Sequence, residues 1–259
     1  KEAAANVPDS PEKVVVEAAK AANEGNYLAI YAMLPDSYQA DLQAMYKKVA
    51  DKVDAEMYNK VWAIAEKALA AVNKNKNKLA EGGMLPKEML DQGLTTADAV
   101  FALIKEMKLN DAATMKNLNI AAFLAENGKK LHDFGWKTAE AFQKDEAAMA
   151  KTMVTGVKAE LKGEAKDDKA TVAITIGEET KDQEFVKVEG KWIPADLAAM
   201  WPEFKKEANE NIDEAMAEFD KNKDKMNEML TQAEAAVTAF EKDGNMEALA
   251  PLMGAMGGM

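Results

Sequence analysis

The sequence predicts an α+β protein that is mostly α: a long N-terminal helical region, a three- to four-stranded antiparallel meander at about 153–193, and C-terminal helices. Two observations predict this class. Apolar residues recur every three or four positions through most of the first 150 residues and again after residue 196, which is the period of an amphipathic helix. Between these regions, short segments alternate apolar and polar residues with a period of two, which is typical of half-buried strands.

The helical region begins with two short elements. Ser10 followed by Pro11 favours a helix start, because serine caps helices and proline fits the first helical turn. Gly25 favours the end of this helix, since glycine adopts the left-handed conformation found there. A second helix is expected over 26–34, because Pro35 follows it directly.

Longer helices are expected to follow. From residue 37 to about residue 80, apolar residues step by four and predict an amphipathic helix: Met45, Val49, Val53, Met57 and Val61. Because an uninterrupted helix of that length would be unusual in a globular domain, we expect a break at 51–54, with Asp54 capping the second part. Thr95 and Asp98 resemble a capping box and predict another helix start.

The alternating segments predict the sheet. Three of them read as strands, and a fourth short strand follows: 157–164, 171–176, 183–189 and 192–193. The first two connections, 165–169 and 177–182, are polar and of hairpin length, so an antiparallel meander is expected. Helical periodicity then predicts two further helices, over 196–221 and 225–243.

The domain organisation predicted from these elements is simple. A flexible lead, one composite domain and a mobile Gly/Met tail are expected at 1–9, 10–245 and 246–259. The composite domain consists of a helical part, the sheet and a second helical part, at 10–150, 151–194 and 196–245. The sequence starts at Lys1 rather than at a methionine, which favours cleavage of an upstream segment such as a secretory signal.

Composition excludes several classes of function. The chain has 33 basic residues, all lysine, against 45 acidic ones, and this net charge of −12 disfavours nucleic acid as a partner. Mean hydropathy is −0.36, and we expect no membrane span in the visible chain. The absence of cysteine excludes thiol chemistry, disulfides and cysteine-based metal sites.

The remaining side chains do not assemble a catalytic motif. His132 is the only histidine and the only serines are Ser10 and Ser37, both at expected helix starts, so a serine triad is not expected. We therefore predict no catalytic residue, no metal and no cofactor. The tail residues Met253, Met256 and Met259 have a spacing that suits a soft metal, but we interpret them as a chance cluster in a chain with 17 methionines.

Two segments resemble a known family. Residues 10–27 read Ser-Pro-Glu-Lys-Val-Val-Val-Glu-Ala-Ala-Lys-Ala-Ala-Asn-Glu-Gly-Asn-Tyr, and residues 185–193 read Phe-Val-Lys-Val-Glu-Gly-Lys-Trp-Ile. Together they resemble exported bacterial domains of unknown function with a cystatin-like cone, related to nuclear transport factor two. The resemblance implies export and a pocket between helix and sheet rather than a reaction, and no catalytic residue carries over. The helices over 39–150 and those after residue 196 have no counterpart in the minimal cone.

These observations favour a noncatalytic exported envelope protein that binds a small ligand or a protein partner. Its expected location is the periplasm or the cell surface, with a lipid anchor as one means of attachment. If a pocket exists, we expect Tyr27, Tyr31 and Trp192 to line it; the alternative is that they only fill the core. Two other hypotheses stay open: a structural helical protein that self-assembles as a homo-oligomer, and an enzyme that uses paired carboxylates.

Overall fold

A computed structural model describes residues 7–81 and 86–249 of the protein. The described part is mostly helical (74%), with a four-stranded antiparallel sheet and a long C-terminal helix. The predicted class, α+β and mostly α, is therefore confirmed. Most of the predicted lead and tail lies outside the described residues, including Met253, Met256 and Met259.

In the described part of the chain, eight helices precede the sheet and one long helix follows it. The first eight are α1 Pro11–Glu24, α2 Tyr27–Met33, α3 Asp36–Ala50, α4 Ala55–Glu81, α5 Lys87–Glu106, α6 Ala112–Lys116, α7 Ile120–Phe142 and α8 Lys144–Thr155. The strands are β1 Lys158–Lys166, β2 Lys169–Ile176, β3 Glu179–Val188 and β4 Lys191–Pro194. Helix α9, Ala195–Asp243, precedes a short 3₁₀ turn at Met246–Leu249.

Helix α1 begins and ends where the sequence predicts. Gly25 follows it with a φ of 71°, and the Asn26 N–H donates to the Ala21 carbonyl over 2.8 Å, which satisfies a carbonyl of the last turn. The serine contributes differently from the expectation. The Ser10 hydroxyl donates to the Glu12 carboxylate instead of accepting a bond from the helix backbone.

The predicted break at 51–54 is confirmed, because α3 ends at residue 50 and α4 begins at residue 55. Asp54 caps α4, since its carboxylate accepts a hydrogen bond from the Met57 N–H over 2.9 Å. The predicted helix start at Thr95 is wrong. That residue lies inside α5, where its hydroxyl donates to the Asp91 carbonyl one turn earlier over 2.8 Å.

The sheet has the order β1-β2-β3-β4, and each neighbouring pair is antiparallel. Its strands are longer than predicted, so the first two connections shrink to two residues each: Asp167–Asp168 and Gly177–Glu178. Both aspartates have positive φ, at 48° and 59°. Two-residue hairpins that match strand twist need this conformation, and aspartate tolerates it better than most residues.

Helix α9 is one element of 49 residues, so the predicted division between 221 and 225 is wrong. The segment around Asn222 contains neither glycine nor proline. The Asn222 side chain donates to the Glu218 carbonyl over 2.9 Å, one turn earlier, and so bonds within the helix instead of forming a turn. Pro202 also lies within α9.

The structure groups the chain into two compact units. Unit 1 contains the residues up to Lys48 together with Leu118–Ile212. Its core packs the sheet against helices in two clusters, centred on Val172 and Phe185 in one and on Tyr38 and Trp201 in the other. Nothing in this grouping tests the predicted single composite domain over 10–245, which stays a prediction.

Unit 2 contains Val49–Asn117 together with the residues from Asp213 onward. Its core lies between α4 and the second half of α9 and includes three buried residues: Ala71, Val237 and Phe240. Within residues 7–81 and 86–249, no helix combines the length and the apolar character that crossing a lipid bilayer requires.

Candidate functional site

Trp192, one of the three predicted pocket residues, is a core residue of unit 1. It is 5% exposed and belongs to the same cluster as Val172 and Phe185. Its Nε1 donates to the Asp9 carbonyl over 3.2 Å, and the Lys187 ammonium lies 5.1 Å from its ring centroid. These contacts fix the indole between the sheet and the N-terminal segment.

The two tyrosines of α2 have different surroundings. Tyr31 is 9% exposed, its hydroxyl donates to the Gln39 carbonyl over 3.0 Å, and burial raises the pKa of its phenol. Tyr27 is half-buried and meets the ring of His132 edge-on, with 6.3 Å between centroids. The contacts of Tyr27, Tyr31 and Trp192 are those of packed residues, and their role in binding stays a prediction.

An apolar cavity of about 330 Å³ lies in unit 2. Its walls come from the end of α3, the turn before α4, the first two turns of α4, and α9. The lining residues are mostly aliphatic, sulfur-containing or aromatic: Val49, Lys52, Val53, Asp54, Met57, Tyr58, Val61, Trp62, Met216, Phe219 and Met226. We call this space the unit 2 cavity.

Helical spacing places these side chains together. The stripe that steps by four along α3 and α4 supplies one wall, from Val49 to Val61. On α9, Met216, Phe219 and Met226 stand at i, i+3 and i+10, which brings them to one face. The cavity therefore lies between two apolar helix faces.

The two helices run parallel along this cavity. Lys60 of α4 donates to Thr231 of α9 over 3.1 Å, and Lys67, two turns later, donates to Thr238 over 2.7 Å. The same register brings Asp54, immediately before α4, to Lys223, with 2.7 Å between Oδ2 and Nζ. These polar contacts hold the two walls of the cavity in place.

Aromatic rings form the rigid part of the lining. Tyr58 and Trp62 meet edge-to-face at 6.3 Å, and Trp62 meets Phe101 of α5 in the same way at 5.8 Å. The Tyr58 hydroxyl donates to the Leu109 carbonyl, so its polar end is bonded. These contacts hold the rings of Tyr58 and Trp62 in fixed orientations at the cavity wall.

The charged lining residues, Lys52 and Asp54, lie in the turn between α3 and α4. The hydrogen bond from Lys223, together with the one from the Met57 N–H, holds the pKa of Asp54 below its ordinary value. The partner carboxylate correspondingly raises the pKa of Lys223. Lys52 is exposed in the turn before α4, and among the described residues it has no ion-pair partner.

This arrangement can hold an apolar group, but it lacks the parts of an acid–base site. Asp54 is the only carboxylate among the lining residues, and it is paired with Lys223. In the described ranges, no three histidine, aspartate or glutamate side chains are grouped to hold a metal ion.

Sequence reasoning missed the unit 2 cavity. The valine and methionine stripe of α3 and α4 predicts an amphipathic helix, but periodicity alone does not show whether the facing helix fills the space. The methionines at 57, 216 and 226 were the available signal, because flexible methionines are common at adaptable apolar surfaces.

The comparisons add no second line of argument. Neither protein-family models, nor curated proteins, nor solved structures gave a match to this chain. The resemblance to exported cystatin-like cone domains therefore stays a prediction, and the function is proposed from the geometry of the molecule.

Proposed function

We propose that this protein is a noncatalytic binding protein that holds a small apolar molecule in the unit 2 cavity. The observation that carries the proposal is a space of about 330 Å³ whose lining is apolar except for Lys52 and Asp54. Ligand pockets of about 300–1,000 Å³ are typically lined in this way, with a few polar groups at defined places.

The lining combines adaptable and rigid side chains. Met57, Met216 and Met226 are unbranched and can repack around ligands of different shape. Tyr58 and Trp62 line the cavity and are held in place by edge-to-face ring contacts. Each methylene group that leaves water for such a site contributes about 0.8 kcal/mol to binding.

Titration with N-phenylnaphthylamine, a neutral probe that fluoresces in apolar surroundings, tests the proposal. Val61 lines the cavity and is 44% exposed, so Val61→Trp should reduce the space without burying a strained residue. We expect this variant to bind the probe at least about fivefold more weakly. Val16, on α1 of unit 1, is 39% exposed and provides the control Val16→Trp, which should bind like the unmodified protein.

The outcomes of this titration are distinct. Saturable binding that weakens only in Val61→Trp supports the proposal. Absence of probe binding to the unmodified protein, or equal loss in both variants, would show that the cavity is not a binding site.

The proposal includes a location in the bacterial envelope, outside the cytoplasm. Its support is the sequence resemblance of residues 10–27 and 185–193 to exported domains. Fractionation of the source cells tests this part, because recovery of the protein with cytosolic markers contradicts it and recovery with envelope markers supports it.

Self-assembly is the second candidate function. Met149 and Met153 stand one turn apart on α8 and are 61% and 50% exposed, and Phe142 at the end of α7 is 53% exposed. Exposed apolar groups of this kind favour association when they form a continuous patch. Light scattering over a range of protein concentrations would reveal a homo-oligomer, and Met149→Lys should then dissociate it.

A further inference from the structure

We propose that the unit 2 cavity takes a linear alkyl carboxylate, the chemistry of a free fatty acid, with its carboxylate at Lys52 and its chain directed toward Trp62. This inference rests on the proposed function and adds the class of ligand. The observations that carry it are the dimensions of the cavity and the difference in pairing between its two charged lining residues.

The dimensions favour a single unbranched chain. Met216 and Met226 both line the cavity and are ten residues apart on α9, which corresponds to about 15 Å along a helix axis. A volume of about 330 Å³ spread over that length leaves a narrow cross-section. This shape suits one alkyl chain and is too small for a two-chain phospholipid.

The polar groups that line the cavity differ in whether they already have a bonding partner. Asp54 accepts hydrogen bonds from the Met57 N–H and from Lys223, and the Tyr58 hydroxyl donates to a backbone carbonyl. Lys52 is the one charged lining residue without an ion-pair partner among the described residues. An ammonium group beside an apolar space complements a ligand with one anionic end.

Position along the cavity gives the orientation of the ligand. Lys52 lies in the turn before α4, whereas Trp62 lies two turns inside α4. The four-carbon stem of lysine allows the ammonium to reach over the rim while staying in water. The net charge of −12 disfavours anions at long range, so the carboxylate is held by this short-range pairing.

Competition against N-phenylnaphthylamine tests the inference with two probes of equal chain length, dodecanoate and dodecanol. Lys52→Gln should weaken dodecanoate binding about two- to fivefold, the effect of an exposed ion pair, and leave dodecanol binding unchanged. Lys52→Arg should retain dodecanoate binding. Lys74→Gln, which removes another exposed charge, from α4 outside the lining, should change the binding of neither probe.

Each alternative outcome leads to a different conclusion. If dodecanoate and dodecanol both bind and Lys52→Gln affects neither or both equally, the carboxylate assignment is wrong and the proposed function stands. Equal weakening in Lys74→Gln would reduce the effect to net charge and overturn the inference. If increasing protein concentration excludes the probe, a second copy occupies the cavity and the ligand class is wrong. If N-phenylnaphthylamine itself does not bind, the proposed function fails.

Discussion

At the scale of single residues, Asp54 joins three features of unit 2. It caps α4, pairs with Lys223 of α9 and lines the cavity. The capping role could be predicted from the sequence, since an aspartate placed before an apolar stripe is a common helix start. The ion pair could not, because its partner is far along the chain.

This ion pair predicts a dependence of stability on pH. Lys223 and the Met57 N–H hold the folded-state pKa of Asp54 below its ordinary value of 3.8. A carboxyl with a depressed pKa contributes stability above the unfolded-state pKa, and this contribution disappears as the pH falls through the folded-state pKa. Asp54→Asn keeps a capping oxygen but removes the charge. The free-energy difference between the protein and this variant should therefore be full near neutral pH and shrink below about pH 4.

Urea unfolding at several pH values measures that difference. In a Lys223→Met background, the pH dependence of the Asp54→Asn effect should become smaller but should not vanish, because the Met57 N–H still holds the pKa of Asp54 below its ordinary value. A difference that stays constant with pH in the unmodified background would contradict the assigned ion pair.

Gly25 offers a second prediction at this scale. A Cβ at this position would lie 2.6 Å from the Cβ of His132, an atom that cannot move without the α7 backbone, and the φ of 71° is unfavourable for alanine. Gly177 has a similar φ of 63° but open space around it. Gly177→Ala should cost about 1–2 kcal/mol of unfolding free energy through backbone conformation alone. Gly25→Ala should cost about 1 kcal/mol or more beyond that. Equal costs in urea unfolding would show that the contact with His132 is unimportant.

At the scale of elements, α9 is where prediction and structure differ most. The sequence predicts two helices separated at 222–224, yet nothing in that segment ends a helix. Asparagine and aspartate have modest helix propensity on their own. Packing of the flanking apolar residues, such as Phe219 and Met226, against the rest of unit 2 extends the helix through it.

Two substitutions at one position test the continuity of α9. Asn222→Pro should lower the free energy of unfolding by about 3 kcal/mol, because proline removes a backbone donor and clashes with the preceding turn. Asn222→Ala should remain within about 0.5 kcal/mol, since alanine compensates for the lost side-chain bond with the best helix propensity. Thermal unfolding followed by circular dichroism gives both values. Equal stabilities would indicate a break in the helix there.

The elements that could be predicted from the sequence are those with local signals. Gly25 ends α1, and period-two alternation marks the first three strands of the meander. The wrong predictions arise where the surrounding structure overrides a local signal. Thr95 is followed by the acid of a capping box, yet its hydroxyl bonds within an existing helix. The candidate site depends on Met216 and Met226 facing residues about 150–180 positions earlier, which no local pattern reveals.

At the scale of the whole molecule, the two units have separate apolar cores. Phe185 is 2% exposed in unit 1 and Phe240 is 1% exposed in unit 2. Replacing either one with alanine should cost about 3–5 kcal/mol through lost burial and a residual cavity.

Native-state hydrogen exchange shows which residues lose amide protection in each variant. If the units unfold separately, Phe240→Ala lowers protection among the residues of unit 2, and Phe185→Ala lowers protection in unit 1. If both variants lower protection uniformly, the chain unfolds as one cooperative domain, as the sequence predicts for 10–245.

The discontinuity of unit 2 has a consequence for synthesis. Its segment Val49–Asn117 leaves the ribosome before the whole of unit 1 is made, and Met216 follows Trp62 by about 150 residues. At about 5–20 residues per second, the apolar face of α4 waits roughly 10–30 s for its partner helix. During that interval the nascent chain presents an uncovered stripe on which chaperones can act, and the cavity cannot take up a ligand until α9 has been translated.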